Sequence, residues 1–366
     1  MFEKLFAKDE LTKRERVERA LNHQSVDRVP LHDQLSYNPG VISMYTGKKI
    51  DGFNYTLRDI GQAVAKSLDC CFPLYAPCGT DRYGDEYGFT YQNDNWTRWR
   101  VSRPFADERG ARDWLRQKIK KALAYESAFD AGAFRASYQN YMHGLQSLAG
   151  ETVIIDYSIN TGFCDVFDSM GLEIYTFFQM DYPEVLFEYM EVSADIAVKK
   201  ALAAGDSSLS PAILIAEDFS TKQGPIFSPA FLRKYHYPYV KRLAAAWKAN
   251  GMKVIYHSDG NYKKAIPDLM DCGADGFYCL EPNCGMDIVE LKNSWPNMVW
   301  AGGVDGVDLM ERGTPPQVAD EVRRHIRETG ALNAGGMLVA SSSEINPTVK
   351  PENFRAMTEA ADSARQ

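Results

Sequence analysis

The sequence predicts an α/β protein: a single domain over residues 1–366 whose strands and helices close into a (β/α)8 TIM barrel. Three observations carry that prediction. Eight short apolar runs recur along the chain, helical segments lie between them, and polar residues, mostly acidic, follow nearly every run. A continuous apolar run suits a strand covered on both faces, as in a parallel sheet. Alternation with helices makes the sheet parallel, and eight repeats match barrel closure. An open doubly wound sheet is the competing arrangement, but no GxGxxG opens a helix after the first run.

Taken in order, the N-terminal stretch MFEKLFAKDELTKRERVERAL reads as an amphipathic helix, and Arg28-Val-Pro-Leu-His-Asp33 as the first strand. Cys70–Tyr75 is the second run and Thr152–Tyr157 the third. Between them, residues 78–150 break the rhythm with Asp81-Arg-Tyr-Gly-Asp-Glu-Tyr-Gly-Phe89, Trp96, Trp99 and a long polar helix. That stretch reads as a β-hairpin and helices inserted after the second strand. The remaining runs are Ala212–Ala216, Lys253–Tyr256, Gly276–Leu280, Met298–Ala301 and Gly336–Ala340. Ser228 followed by Pro229 signals a helix start, and the pattern continues to Asn250-Gly251. Thr314-Pro-Pro repeats the device, with Gly330 as the stop.

Composition narrows the function. The chain is 45% hydrophobic and 25% charged with a net charge of -8, which argues against a nucleic-acid footprint. No apolar run approaches the ~18 residues needed to span a bilayer, and the charged start does not resemble a signal peptide, so a cytoplasmic location is expected. The seven cysteines (Cys70, Cys71, Cys78, Cys164, Cys272, Cys279, Cys284) form no CxxC pair and read mostly as buried free thiols.

Barrel enzymes hold their working groups at the carboxyl ends of the strands. Those ends carry His32, Asp33 and Gln34; Asp156 and Tyr157; Glu217 and Asp218; His257, Asp259 and Asn261; Glu281; Asp305; and Ser341 to Glu344. The candidate catalytic groups are His257, Asp259, Glu281, Asp218 and Glu217. Candidate substrate-binding groups are His32, Gln34, Tyr37, Tyr157, Asn261, Asp305 and Ser343. Phe163 and Tyr278, with Tyr37 and Tyr157, are aromatics suited to an apolar wall, although ordinary core packing is the better explanation for any one of them.

The segments IYHSDGNYKKAIPDLMDCGADGFYCLEP, MVWAGGVDG, ERGTPPQVADEVRR and INPTVKPENFRAMTEA, with ERVERALNHQSVDRVPL near the start, resemble the uroporphyrinogen decarboxylase superfamily. The resemblance implies the barrel, and it implies a choice between two chemistries. True decarboxylases carry two arginines four residues apart after the first strand, an aspartate after the second, and a histidine in the final glycine-rich turn. Those positions are Leu35 and Pro39, a site near Leu74, and Ser343 here. The loss of two cations that pair with carboxylates argues against porphyrinogen decarboxylation.

The methyltransferase-like branch moves methyl groups to or from a corrinoid cofactor on a partner protein. Its thiol-activating members bind zinc through His-x-Cys after strand five and a cysteine after strand eight. The matching positions are His257, Asp259 and Ser343, so the histidine is kept and both thiolates are replaced. The resemblance therefore implies a methyltransferase with cobalamin supplied by a corrinoid protein, and an aromatic methyl ether as a candidate substrate. Zinc is a candidate cofactor, held by His257, Asp259 and Glu281, because zinc accepts nitrogen and carboxylate ligands. The branch also implies O-demethylase relatives and a homodimer. Two alternatives stay open: a cofactor-free lyase acting on a small carboxylated substrate, with Arg82 as its cation, and a binding protein that has lost catalysis. Trp96 and Trp99 suit either partner docking or packing on the barrel.

Overall fold

A computed structural model describes residues 5–158 and 160–365. All eight apolar runs form parallel strands, here β1 (His32–Asp33), β2 (Cys70–Cys71), β3 (Val153–Ile154 and Asp156–Tyr157), β4 (Ala212–Ala216), β5 (Lys253–His257), β6 (Gly276–Tyr278), β7 (Val299–Val304) and β8 (Met337–Ser341). Each pairs with its neighbour in chain order: β1 to β2 to β3, then β3 through β8. A parallel bridge between Leu31 and Val339 joins β8 to the start of β1, reinforced by Val339 N donating to Pro30 O at 2.9 Å, and closes the ring.

The alternation along each strand separates two cores. Leu214, Ile255, Val299, Ala301, Leu338 and Ala340 point into the barrel. Ile213, Ile215, Val254, Tyr256, Trp300 and Val339 face the surrounding helices. The N-terminal helix is shorter than the amphipathic stretch suggests. It covers Lys13–Leu21, begins at a capping box between Thr12 and Glu15, and adds Val17, Ala20 and Leu21 to the interior cluster.

Two further elements depart from the sequence reading. The insertion holds three antiparallel strands, Arg82–Gly84, Thr90–Asp94 and Thr97–Ser102, before helices Glu108–Ser127 and Ala131–Ala149. Its second turn places Asn95 at φ +55°, a conformation asparagine tolerates in tight hairpins. The helix predicted to run unbroken from Ser228 is two helices, Pro229–Tyr235 and Tyr237–Lys248, parted at His236. Pro238 has no N–H to continue the ladder and its ring crowds the preceding turn, which accounts for the break. Helix Pro315–Thr329 behaves as expected, capped by Thr314 with Gln317 and stopped at Gly330. All seven cysteines are free, five of them buried. Among the described residues, no helix is long and apolar enough to cross a membrane.

Candidate active site

At the carboxyl ends of the strands lies a cavity of about 400 Å³ lined by Gln34, Tyr157, His257, Asp259, Tyr278, Cys279, Glu281, Ser343 and Glu344. Its volume lies in the range of small-molecule sites. A hollow of about 460 Å³ between Thr12, Arg14, His143 and Gln146 borders the N-terminal helix and the start of β3. That is the end of a barrel concerned with stability rather than chemistry.

His257 ends β5, and its side chain is 16% exposed between two carboxylates. Nδ1 is 3.3 Å from Asp218 Oδ1 but lacks an aligned hydrogen-bond partner, while Nε2 is 3.7 Å from Asp259 Oδ1. Burial pulls the imidazole pKa down, but Asp218, Asp259 and Glu344 outweigh it and raise the pKa above its ordinary value. Asp218 responds in the opposite sense: burial is outweighed by His257 and by the Asp259 N–H, which donates to Asp218 Oδ1 at 2.9 Å, and its pKa is lowered. Burial, then Asp259 among its neighbours, pushes the Glu281 and Glu344 carboxyls up.

The loop carrying Asp259 turns tightly. Gly260 has φ +76°, and its N–H donates to Glu281 Oε2 at 2.6 Å. Glu281 thereby braces the loop from β6 while lining the cavity. On the opposite wall the Tyr157 hydroxyl donates to Gln34 Oε1 at 3.0 Å, and Gln34 Nε2 donates to the Tyr37 hydroxyl at 3.3 Å. Tyr37 belongs to an adjoining cavity of about 440 Å³ shared with Tyr75, Trp96 and Arg98 of the insertion. Gln34 thus stands between an acidic chamber and an aromatic one. Trp96 packs against Tyr37 with ring centroids 5.9 Å apart, whereas Trp99 stays exposed.

The remaining sequence candidates are placed outside the chamber. Glu217 is fully buried and accepts hydrogen bonds from Thr161 N, Thr161 Oγ1 and Cys164 N, pinning the loop after β3. Asp305 accepts from Val307 N and Asp308 N, and Asn261 Oδ1 accepts from Lys263 N, so both cap turns. His32 lies in the core, edge-on to Phe72 and Tyr278, and burial lowers its pKa to about 3. Phe163 is buried against Phe227 and His236. Arg82 lies on an exposed insertion strand, and Leu35 and Leu74 are buried in the apolar core.

Two lining residues escaped sequence reasoning as site groups. Glu344 is one of three polar residues between β8 and Ile345, with nothing to single it out. Cys279 directly follows β6 and reads in sequence as part of the apolar run Gly276–Leu280. Its backbone has φ +66°, and its Sγ lies 3.0 Å from Asp259 Oδ1. His257, Asp259 and Cys279 together place their ligand atoms within 4.8 Å of one another. Pairing of His257 with Tyr278 across β5 and β6 sets Cys279 at that level, a register no single run reveals.

The solved structure of a methyltransferase from Methanosarcina mazei is similar over 97% of this chain and 99% of its own, with a TM-score of 0.66 at 16% identity. A B12-independent methionine synthase from Shewanella sp. W3-18-1 aligns over 92% of this chain and 97% of its own, with a TM-score of 0.40 at 12% identity. No curated protein sequence matches the chain. The family model described as Uroporphyrinogen decarboxylase (URO-D) matches residues 169–364, and with more than half its length covered the chain belongs to that family.

Proposed function

We propose that the chain is a methyltransferase that passes a methyl group from a small methylated substrate, of which an aromatic methyl ether fits best, to a corrinoid carried by a partner protein. The observation that carries this reading is a histidine held between two carboxylates, with no lysine or arginine among the described residues of its chamber. A carboxylated substrate entering there would meet Asp259, Glu281 and Glu344 with the His257 imidazolium as the sole offsetting charge among the described lining residues, which disfavours the lyase alternative. The likeness to a structure named as a methyltransferase supports the same choice.

The residues divide the work as follows. Tyr37, Tyr75 and Trp96 offer flat apolar walls for an aromatic ring, and Gln34 and Tyr157 present polar atoms where ring and chamber meet. The carbon–oxygen bond breaks with its electron pair leaving on oxygen, and the His257 imidazolium supplies the proton that neutralises it. The reduced corrinoid supplies the electron pair that takes up the methyl carbon. Asp218 favours the charged imidazolium. The donor set also fits zinc, which in place of the imidazolium proton would polarise the leaving oxygen as a Lewis acid while a neutral His257 and Asp259 held it, with Glu281 in the same chamber.

The test is demethylation of methoxyphenols by the purified protein with cob(I)alamin as acceptor, followed by loss of the cob(I)alamin spectrum. His257→Ala should lower the rate by about 100-fold or more. An unaltered rate in that variant would sink the assigned role of His257. Carbon dioxide release from carboxylated substrates, without any demethylation, would replace the reading by the lyase.

A further inference from the structure

We infer that Cys279 is a metal ligand, completing with His257 and Asp259 a nitrogen, oxygen and sulfur site for zinc in which the thiolate comes from β6. The inference shares His257 with the proposed methyl transfer but does not need that reaction, since metal content is read without substrate.

Three features support it. The first is spacing. Zinc bonded at 2.0–2.3 Å to tetrahedral ligands sets those atoms about 3.3–3.8 Å apart. His257 Nε2 and Asp259 Oδ1, 3.7 Å apart, lie within that span, Cys279 Sγ and Asp259 Oδ1 are closer at 3.0 Å, and each of the three residues offers a ligand atom within 4.8 Å of the others, so small side-chain shifts bring them to one ion. The second is orientation. Asp218 Oδ1 stands 3.3 Å from Nδ1 of His257, and the ring turns Nε2 toward Asp259. Carboxylates commonly set metal-binding histidines in this way.

The third is the backbone of Cys279. A non-glycine residue at φ +66° carries strain of order 1–3 kcal/mol, and such residues concentrate where a side chain must be aimed. Here the turn brings Sγ toward both Asp259 Oδ1 (3.0 Å) and Ser342 O (2.8 Å). A thiol has one proton, so it can donate fully to only one of these acceptors. Metal binding releases that proton to solvent and replaces the contact to Asp259 with a shared cation. Asp259 is 62% exposed, which leaves an entry path for the ion and a side open to an exchangeable fourth ligand.

The experiment is metal analysis together with cobalt substitution. Wild-type protein dialysed against zinc should retain about one equivalent. Its Co(II) form should show a sulfur-to-cobalt charge-transfer band in the near ultraviolet, read before any variant is made. Cys279→Ser should abolish the band and weaken zinc binding at least 100-fold. Cys272→Ser, in the helical layer away from the chamber, should keep both. Metal-free wild type after zinc incubation, bound cobalt without a thiolate band, or a band that survives in a folded Cys279→Ser each overturns the inference. Should Cys279→Ser fail to fold, Asp259→Asn, on an exposed loop, tests the same cluster and should lower zinc affinity while leaving the cobalt–thiolate band on the residual bound metal. If Asp259→Asn leaves the affinity unchanged, the cluster is not the site.

Discussion

Asp69 lies just ahead of β2, fully buried at the end of the barrel away from the chamber. It accepts hydrogen bonds from Arg16 Nη1 at 2.8 Å, Arg28 Nη1 at 2.6 Å, Arg28 Nη2 at 2.9 Å and Leu31 N at 2.8 Å. Asp9, Asp27 and Arg365 extend the group to three carboxylates and three guanidiniums, tying the N-terminal segment, the approaches to β1 and β2, and the last residues together. Asp69→Asn keeps the shape but removes one charge, leaving two buried guanidiniums short of a counter-ion. Breaking a buried pair from one side costs about 3–5 kcal/mol. At about 2 °C per kcal/mol for a chain of this size, Tm should fall by about 6–10 °C. Calorimetry and urea unfolding read the change, and retained zinc in the folded variant would show that the chamber is untouched. A fall of less than about 2 °C would refute the reasoning, because it would mean that the remaining carboxylates already neutralise both arginines.

Two further outcomes follow from single groups. His32 and His236 are buried, and burial lowers each pKa to about 3. The unfolded chain takes up protons at these sites below about pH 6.5, so stability present above that pH is lost as pH falls toward 3. At pH 5 each should cost about 2 kcal/mol in urea unfolding. His236→Gln should remove one share of that slope, and a slope equal to wild type would count against it. Gly260→Ala places a Cβ 2.7 Å from Thr221 O at a φ of +76°. The loop must shift, drawing Asp259 from His257 and the Gly260 N–H from Glu281, and zinc affinity should fall about 10-fold, as for lost supporting contacts. Unchanged affinity would show that the loop carries no ligand.

The barrel is legible because its strands, covered on both faces, are written as uninterrupted apolar runs that compete with no other reading. Boundaries are less legible where pairing rather than composition decides them. The run Arg28–Asp33 pairs with β2 only at His32 and Asp33, because Pro30 cannot donate and Arg28 is turned into the charged cluster. The break at His236 was written in Pro238, but the apolar period on either side continues and masks it.

The site shows a sharper division. Polar residues after every strand were legible, yet a carboxylate at a strand end serves two purposes equally well in sequence. It can cap the loop that follows or face the chamber. Glu217 spends both oxygens on backbone N–H groups of the loop after β3, and Asp305 holds the turn that follows it through Oδ1. Asp218 and Asp259 stand 56% and 62% exposed on either side of His257, and their oxygens face a ring that can carry a proton or yield a lone pair. What separates the two classes is the path of the loop rather than residue type. Cys279 makes the same point in reverse: an apolar-looking residue becomes a candidate ligand because one left-handed backbone angle points its sulfur at Asp259. Chemistry in this chain is therefore assigned by backbone geometry at the strand ends, and the composition of those ends only limits which residues are available for it.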